Sequence, residues 1–184
     1  MKIGITGGIG SGKSFVCNML REQGFKVYDC DTAAKRIMRQ SAEVRQALTS
    51  LIGHDAYEGT VPNKARIAAF ILSDGSNAGM VNAIVHPAVA KDFQESGIDF
   101  MECALLFQSG FDALVDKKVC VTAPLDTRIE RIMKRDSIPY EKAMEWIKCQ
   151  MPQEEMAERS DVVIINDGIA DLKPQTDRII ALAD

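Results

Sequence analysis

The segment Gly7-Gly8-Ile9-Gly10-Ser11-Gly12-Lys13-Ser14 constrains this chain more than any other. It satisfies GxxxxGK[ST] without departure. Before it runs a short apolar stretch, Lys2–Thr6. After it comes a helical spacing, Val16, Met19 and Leu20 at i, i+3 and i+4, that ends at Gly24. A strand, a glycine-rich turn and a helix in that order form an anion-binding device. Glycines let the backbone wrap a phosphate with no Cβ in the way. Successive N–H groups point inward, and the helix N-terminus adds partial positive charge. Lys13 is placed to reach the β- and γ-phosphates of a nucleoside triphosphate, and Ser14 to ligate Mg²⁺.

The rest of the chain supplies a framework for such a loop. Strands are expected at Lys2–Thr6, at Phe25–Cys30, within Ile98–Phe107, at Lys118–Ala123 and at Asp161–Asn166. Helices are expected at Lys13–Gln23, Leu125–Arg135, Tyr140–Cys149 and from about Ala170. The strands are Val/Ile-rich runs and not polar/apolar alternations. That predicts a parallel sheet covered on both faces, an α/β P-loop NTPase fold of about five strands. A helical stretch spans roughly Thr32–Leu72, with breaks near Gly53 and Gly59–Asn63. A further helix, about Ala78–Val85, is expected to stop at His86-Pro87. Two strand-free stretches, about 35–95 and 125–158, read as helical additions to a core of about 1–34, 96–124 and 159–184. At 184 residues the chain is about one domain and needs no metal or disulfide to hold a core.

Composition removes other classes. A net charge of −4 and a pI near 5.3, with no basic stripe outside 125–158, argue against a nucleic-acid partner. No apolar run approaches the ~18 residues of a membrane span, and the first residues carry no signal-peptide pattern. Five scattered cysteines without a CxxC read as reduced thiols, and only two histidines are present, so the expectation is a cytoplasmic protein without a zinc site. A GTPase would carry DxxG and NKxD, whereas Asn63-Lys64-Ala65-Arg66 ends in Arg. A small kinase fits the length.

A kinase needs a base near the acceptor hydroxyl and mobile cations over the phosphates. Asp31, in Asp29-Cys30-Asp31 at the end of the second strand, is the candidate base; its structural alternative is a helix N-cap. Strand alternation turns Asp29 away from it and gives Asp29 a structural role. On the helix Leu125–Arg135, Arg128, Arg131 and Arg135 share a stripe, either a solvated face or a closing lid's cations. Glu102 stands at the end of the third strand, either a Mg²⁺-holding acid or a rim carboxylate. His86-Pro87 reads as a helix stop in preference to a substrate contact.

Taken in order, these motifs resemble those of the dephospho-coenzyme A kinases along nearly the whole chain. The resemblance lies in Gly4 to Ser14, Asp29-Cys30-Asp31, Asn82 to Pro87, Leu105-Leu106-Phe107, Arg131, Arg135-Asp136, Gln150-Met151-Pro152 and Ser160 to Gly168. It implies ATP-dependent phosphorylation of the ribose 3′-hydroxyl of dephospho-CoA. It implies ATP contacts at Gly8, Gly10, Ser11, Gly12, Lys13, Ser14 and Phe15, with Asn166 and Gly168 by the adenine. Asp31 would be the base and Lys13, Arg131 and Arg135 catalytic cations. The stretch 35–95 would bind the acceptor, with a contact from His86, and 125–158 would be the lid. Phe15 replaces a usual Thr, Gln108 a usual acid and Trp146 a usual lid Arg. Arg128 and Lys148 lie close enough in sequence to replace that cation. The rival readings are a kinase of another hydroxyl acceptor and a nucleotide sensor without turnover.

Overall fold

The computed structural model describes residues 1–183. Along the chain run β1 (Ile3–Thr6), α1 (Lys13–Glu22), β2 (Val27–Asp29), α2 (Cys30–Gln40), α3 (Ala42–Ile52), β3 (Tyr57–Glu58), β4 (Val61–Pro62), α4 (Lys64–Ser73) and α5 (Asn77–Ser96). There follow β5 (Phe100–Glu102), β6 (Lys117–Thr122), α6 (Leu125–Asp136), α7 (Tyr140–Lys148), α8 (Gln153–Glu158), β7 (Val162–Ile165) and α9 (Leu172–Ala183). The chain divides into two compact units, residues 1–28 with 98 onward, and residues 29–97.

In the first unit the sheet order is β2-β5-β1-β6-β7. The central strand β1 pairs parallel with β5 and β6, and β6 pairs parallel with β7. Ile3 and Ile5, at the period of two that puts residues on one face, are fully buried. They pack with Val119, Val121 and Ile164 of the sheet, Val16 and Leu20 of α1, and Ile179 of α9. Each such side chain contributes roughly 1.5–3 kcal/mol on leaving water. This core fixes the carboxyl end of β1, from which the glycine loop departs.

β5 ends at Glu102, the residue expected at the end of the third strand, and fills only the first part of the 98–107 stretch. Beyond it the chain turns, with Ser109 N–H donating to the Leu105 carbonyl at 2.8 Å, while Leu106 and Phe107 are buried. A buried apolar turn and a buried strand read alike in sequence. The segment 125–158 holds α6, α7 and an additional short helix, α8, that periodicity did not predict.

The second unit is helical around α5, against which α2, α3 and α4 pack; β3 and β4 form a small antiparallel hairpin. Ser41 separates α2 from α3 by accepting from the Val44 N–H. The expected stop at His86-Pro87 is overturned: α5 runs through Pro87 to Ser96. Proline removes the N–H that would reach the Ala83 carbonyl. Val81, Val85, Val89 and Phe93, spaced four apart, are buried along the helix, and that packing outweighs the local defect. Four of the five cysteines are buried and Cys149 is exposed; none is in a disulfide. Among the described residues no helix is long and apolar enough to cross a membrane.

Candidate active site

The glycine loop joins β1 to α1, and its conformation explains its composition. Gly10 and Gly12 have φ of 81° and 87°, in the left-handed region that L side chains rarely adopt. Space forbids a side chain as well. A Cβ on Gly10 would lie 2.6 Å from the Arg128 carbonyl oxygen, and one on Gly12 would collide with the Asn166 amide. Ser11 N–H closes a turn onto the Gly8 carbonyl at 3.0 Å, and Phe15 N–H bonds the Gly12 carbonyl at 3.0 Å. The amides of Lys13 and Ser14 head α1, where a helix has no internal acceptors for its N–H groups.

The carbonyl side of the loop is saturated by the far half of the unit. Arg128 Nε donates to the Ile9 carbonyl at 2.9 Å, and Gln150 Oε1 accepts from the Ile9 N–H at 2.7 Å. Arg131 Nη1 donates to the carbonyls of Gly10 and Ser11, both at 3.3 Å, and to that of Asn166 at 3.0 Å. Asn166 Nδ2 donates to the Ser11 carbonyl at 2.8 Å, and its Oδ1 accepts from Arg131 Nη2 at 3.3 Å. Hydrogen bonds at a peptide's carbonyl polarise its N–H. The Gly10 and Gly12 amides, in the peptides Ile9–Gly10 and Ser11–Gly12, are therefore better donors to an anion than isolated amides, while the Ser11 N–H stays on the Gly8 carbonyl. Burial pulls the Arg128 guanidinium below its ordinary pKa, opposed by the charge of Glu154.

Glu102 sits at the end of β5, in register with Ile5 of β1. It is 5 % exposed. Its Oε1 accepts from Lys13 Nζ at 2.8 Å and from the Ser14 hydroxyl at 2.6 Å; its Oε2 accepts from Arg21 at 3.3 Å. Burial alone would raise its pKa. The Lys13 charge and the hydrogen bonds from Lys13, Ser14 and Arg21 win, and hold it below the usual carboxylate value. Ser14 and Glu102 present adjacent hard oxygens, the donor type Mg²⁺ takes. Among the described residues no group of three or more His, Cys, Asp or Glu could hold a metal ion. A cation here would draw its remaining ligands from phosphate and water, which is the usual arrangement for Mg²⁺ at nucleotide sites.

The structure thus brings Gly8, Gly10, Ser11, Gly12, Lys13, Ser14, Glu102, Arg131 and Asn166 into one place. Arg135 lies one turn beyond Arg131 and is exposed, with its guanidinium on Asp136 at 2.7 Å. Phe15 projects from α1 at 59 % exposure, and Gly168 sits in an exposed loop with φ of 89°. Trp146 packs in the α6–α7 apolar cluster with Ile129 and Ile132. Lys148 is exposed. The sequence reading missed Arg21 and the Gln150 contact to Ile9. The first was legible, since Lys13, Cys17 and Arg21 stand four apart on α1.

Asp31 and His86 belong to the second unit. The N-cap of α2 is Asp29, whose carboxylate accepts from Thr32 N–H at 3.0 Å and from the Thr32 hydroxyl at 3.0 Å. Asp31 is exposed in the first turn and is released from the capping role. His86 is half-buried on α5, and burial lowers its pKa. A groove of about 560 Å³ runs between α5 and the α2–α3 corner, lined among others by Ile37, Val44, Ala83, Pro87 and Lys91. His86 is not among its walls.

Comparison with known proteins adds the following. A sequence model of the family described as Dephospho-CoA kinase (CoaE) matches residues 1–171. The dephospho-CoA kinase of Bacteroides fragilis strain YCH46 is 40 % identical over 188 residues, covering 98 % of this chain and 92 % of that protein. Among solved structures, TT1252 from Thermus thermophilus superposes with a TM-score of 0.82 at 30 % identity, covering 100 % of this chain and 95 % of the other. The dephospho-CoA kinase from Campylobacter jejuni superposes with a TM-score of 0.70 at 21 % identity, covering 100 % and 98 %, a likeness of fold.

Proposed function

The chain belongs to the dephospho-CoA kinase family, and from that membership and the loop geometry we infer that it transfers the γ-phosphoryl group of ATP to the ribose 3′-hydroxyl of dephospho-CoA, giving coenzyme A and ADP. The observation that carries the reading is the polarised loop, with three successive carbonyls capped from behind and a lysine and a serine at the head of α1. Its parts have distinct tasks. The loop from Gly8 to Phe15 cradles the phosphates through amides other than those of Ile9, Ser11 and Phe15, which hold Gln150 and the loop's own carbonyls. Lys13 leaves Glu102 for the β- and γ-phosphates. Ser14 and Glu102 would hold Mg²⁺, which would supply neutralising charge to the transferring group. Asp31 orients the acceptor hydroxyl and takes its proton. Arg131, and Arg135 once it exchanges Asp136 for phosphate, stabilise the charge that develops in the transition state.

Asn166 and Gly168 border the adenine. The helical unit 29–97 receives the acceptor, with His86 in contact. The segment 125–158 closes as a lid and excludes water, which suppresses hydrolysis of ATP. The reading makes this a cytoplasmic enzyme of small-molecule substrates, without a nucleic-acid partner. The test is ADP release from Mg-ATP with and without dephospho-CoA, with coenzyme A identified as product. Strong stimulation with coenzyme A formed is the expected result. Tight ATP binding without stimulation would overturn the assignment of the acceptor.

A further inference from the structure

Glu102 is held from one face of α1. Lys13 and Arg21 lie two turns apart, with Cys17 between them, and all three share the four-residue spacing that stacks side chains on a helix. The two oxygens of the carboxylate are shared unequally. Oε1 takes both Lys13, at 2.8 Å, and Ser14, at 2.6 Å. Oε2 accepts from Arg21 at 3.3 Å. Arg21 is itself tethered, its Nη1 donating to Asn18 Oδ1 at 2.7 Å. Its side chain is 35 % exposed, so its charge keeps part of its hydration. Cys17 adds no charge, since burial and the negative charge of Glu102 both favour the neutral thiol.

The working cycle removes one partner from Oε1. Lys13 must move to phosphate, while the Ser14 hydroxyl can offer a lone pair to the metal and still donate to Oε1. A carboxylate 5 % exposed that loses its cation would be left ionised and uncompensated, which a protein interior resists. The arginine on the other oxygen has no such duty. We propose that Arg21 is a positioning residue for the metal–phosphate site: by holding Oε2 of Glu102 it keeps Oε1 turned toward Ser14 after Lys13 has gone to the nucleotide. This rests on the reading of Ser14 and Glu102 as the metal-facing pair. Arg21 touches no reacting atom; it acts through Glu102.

The experiment compares the full-length parent with Arg21→Met, Arg21→Gln and Arg21→Lys. Mn²⁺ binding to the ATP-loaded protein is read by electron paramagnetic resonance, ATP binding is read separately in EDTA, and thermal melting reports folding. The expected result is that Arg21→Met weakens Mn²⁺ binding about tenfold, changes ATP binding in EDTA less than twofold, and that Arg21→Lys recovers most of the loss. If the Met variant does not fold, Arg21→Gln carries the same test, because it too lacks the cation. Mn²⁺ binding within twofold of the parent in the neutral variants overturns the proposal. So does an equal loss of metal-free ATP binding, which would make Arg21 a general support of the loop. Coenzyme A formation by the parent is run alongside. Its failure would count against the kinase reading, while the Mn²⁺ comparison still decides the role of Arg21.

Discussion

Lys13 holds Glu102 and is proposed to leave it for phosphate, and this makes its replacement informative about more than chemistry. With the amine removed, Glu102 keeps its burial and loses a charge-assisted donor at 2.8 Å. Lys13→Met is therefore expected to abolish turnover and also to destabilise the fold by about 1–3 kcal/mol. Adding Glu102→Gln should restore most of the stability and none of the rate. Urea unfolding beside the coenzyme A assay checks both halves, and a single variant as stable as the parent would show that Glu102 is satisfied without Lys13. The aspartates at the end of β2 make a second contrast. Asp29 caps α2 and Asp31 does not. Asp29→Ala should lower stability by about 1 kcal/mol. Asp31→Asn should leave stability and ATP affinity nearly intact and cut turnover sharply. An Asp31→Asn enzyme that retains full rate removes the assignment of the base.

At the scale of elements, α5 breaks a local rule along its length. Pro87 stands ten residues into a helix of 20 and deprives it of a backbone bond. If the residue were merely tolerated, Pro87→Ala should raise the melting temperature, with up to about 3 kcal/mol available. A thermal melt measures this, and no gain would mean that the Pro87 ring itself contributes to packing in the unit 29–97. The same helix shows what sequence can carry. The loop from Gly7 to Ser14 was legible because its conformation is set by its own glycines and its neighbours in sequence. The stop at His86-Pro87 was misread because Val81, Val85, Val89 and Phe93 act together across 13 positions, beyond the reach of a local rule. The arginine stripe was half legible. Three arginines on one side of α6 could be counted, but their fates differ. Arg128 is buried against Ile9, Arg131 binds Gly10, Ser11 and Asn166, and Arg135 is exposed on Asp136. Those differences come from what α6 packs against. The general base, the lid closure and the acceptor contact arise only in the reacting complex, which no local sequence pattern encodes.

At the scale of the whole molecule, the strand order β2-β5-β1-β6-β7 could not be read from an alternation of strands and helices. The chain leaves the sheet after β2, builds 29–97, and returns in β5, the neighbour of β2. The proposed reading puts the two substrates in separate compact units, and a ligand stabilises only what it binds. Hydrogen exchange should show an ATP analogue protecting the loop 7–15 and the amides of α6, and dephospho-CoA alone protecting amides within 29–97. Protection of the same segments by both ligands would dissolve that division of labour. Finally, the thiols offer a practical handle. Cys17, Cys30, Cys103 and Cys120 are buried, while Cys149 is exposed just past α7. The thiol of Cys120 is pushed up to about 12 by burial, which further protects it from alkylation at neutral pH. A maleimide dye added to the native, unmutated protein should therefore seat one fluorophore per chain. It would sit at residue 149, within the segment proposed to close, so a change in its emission on nucleotide binding would report that motion in real time.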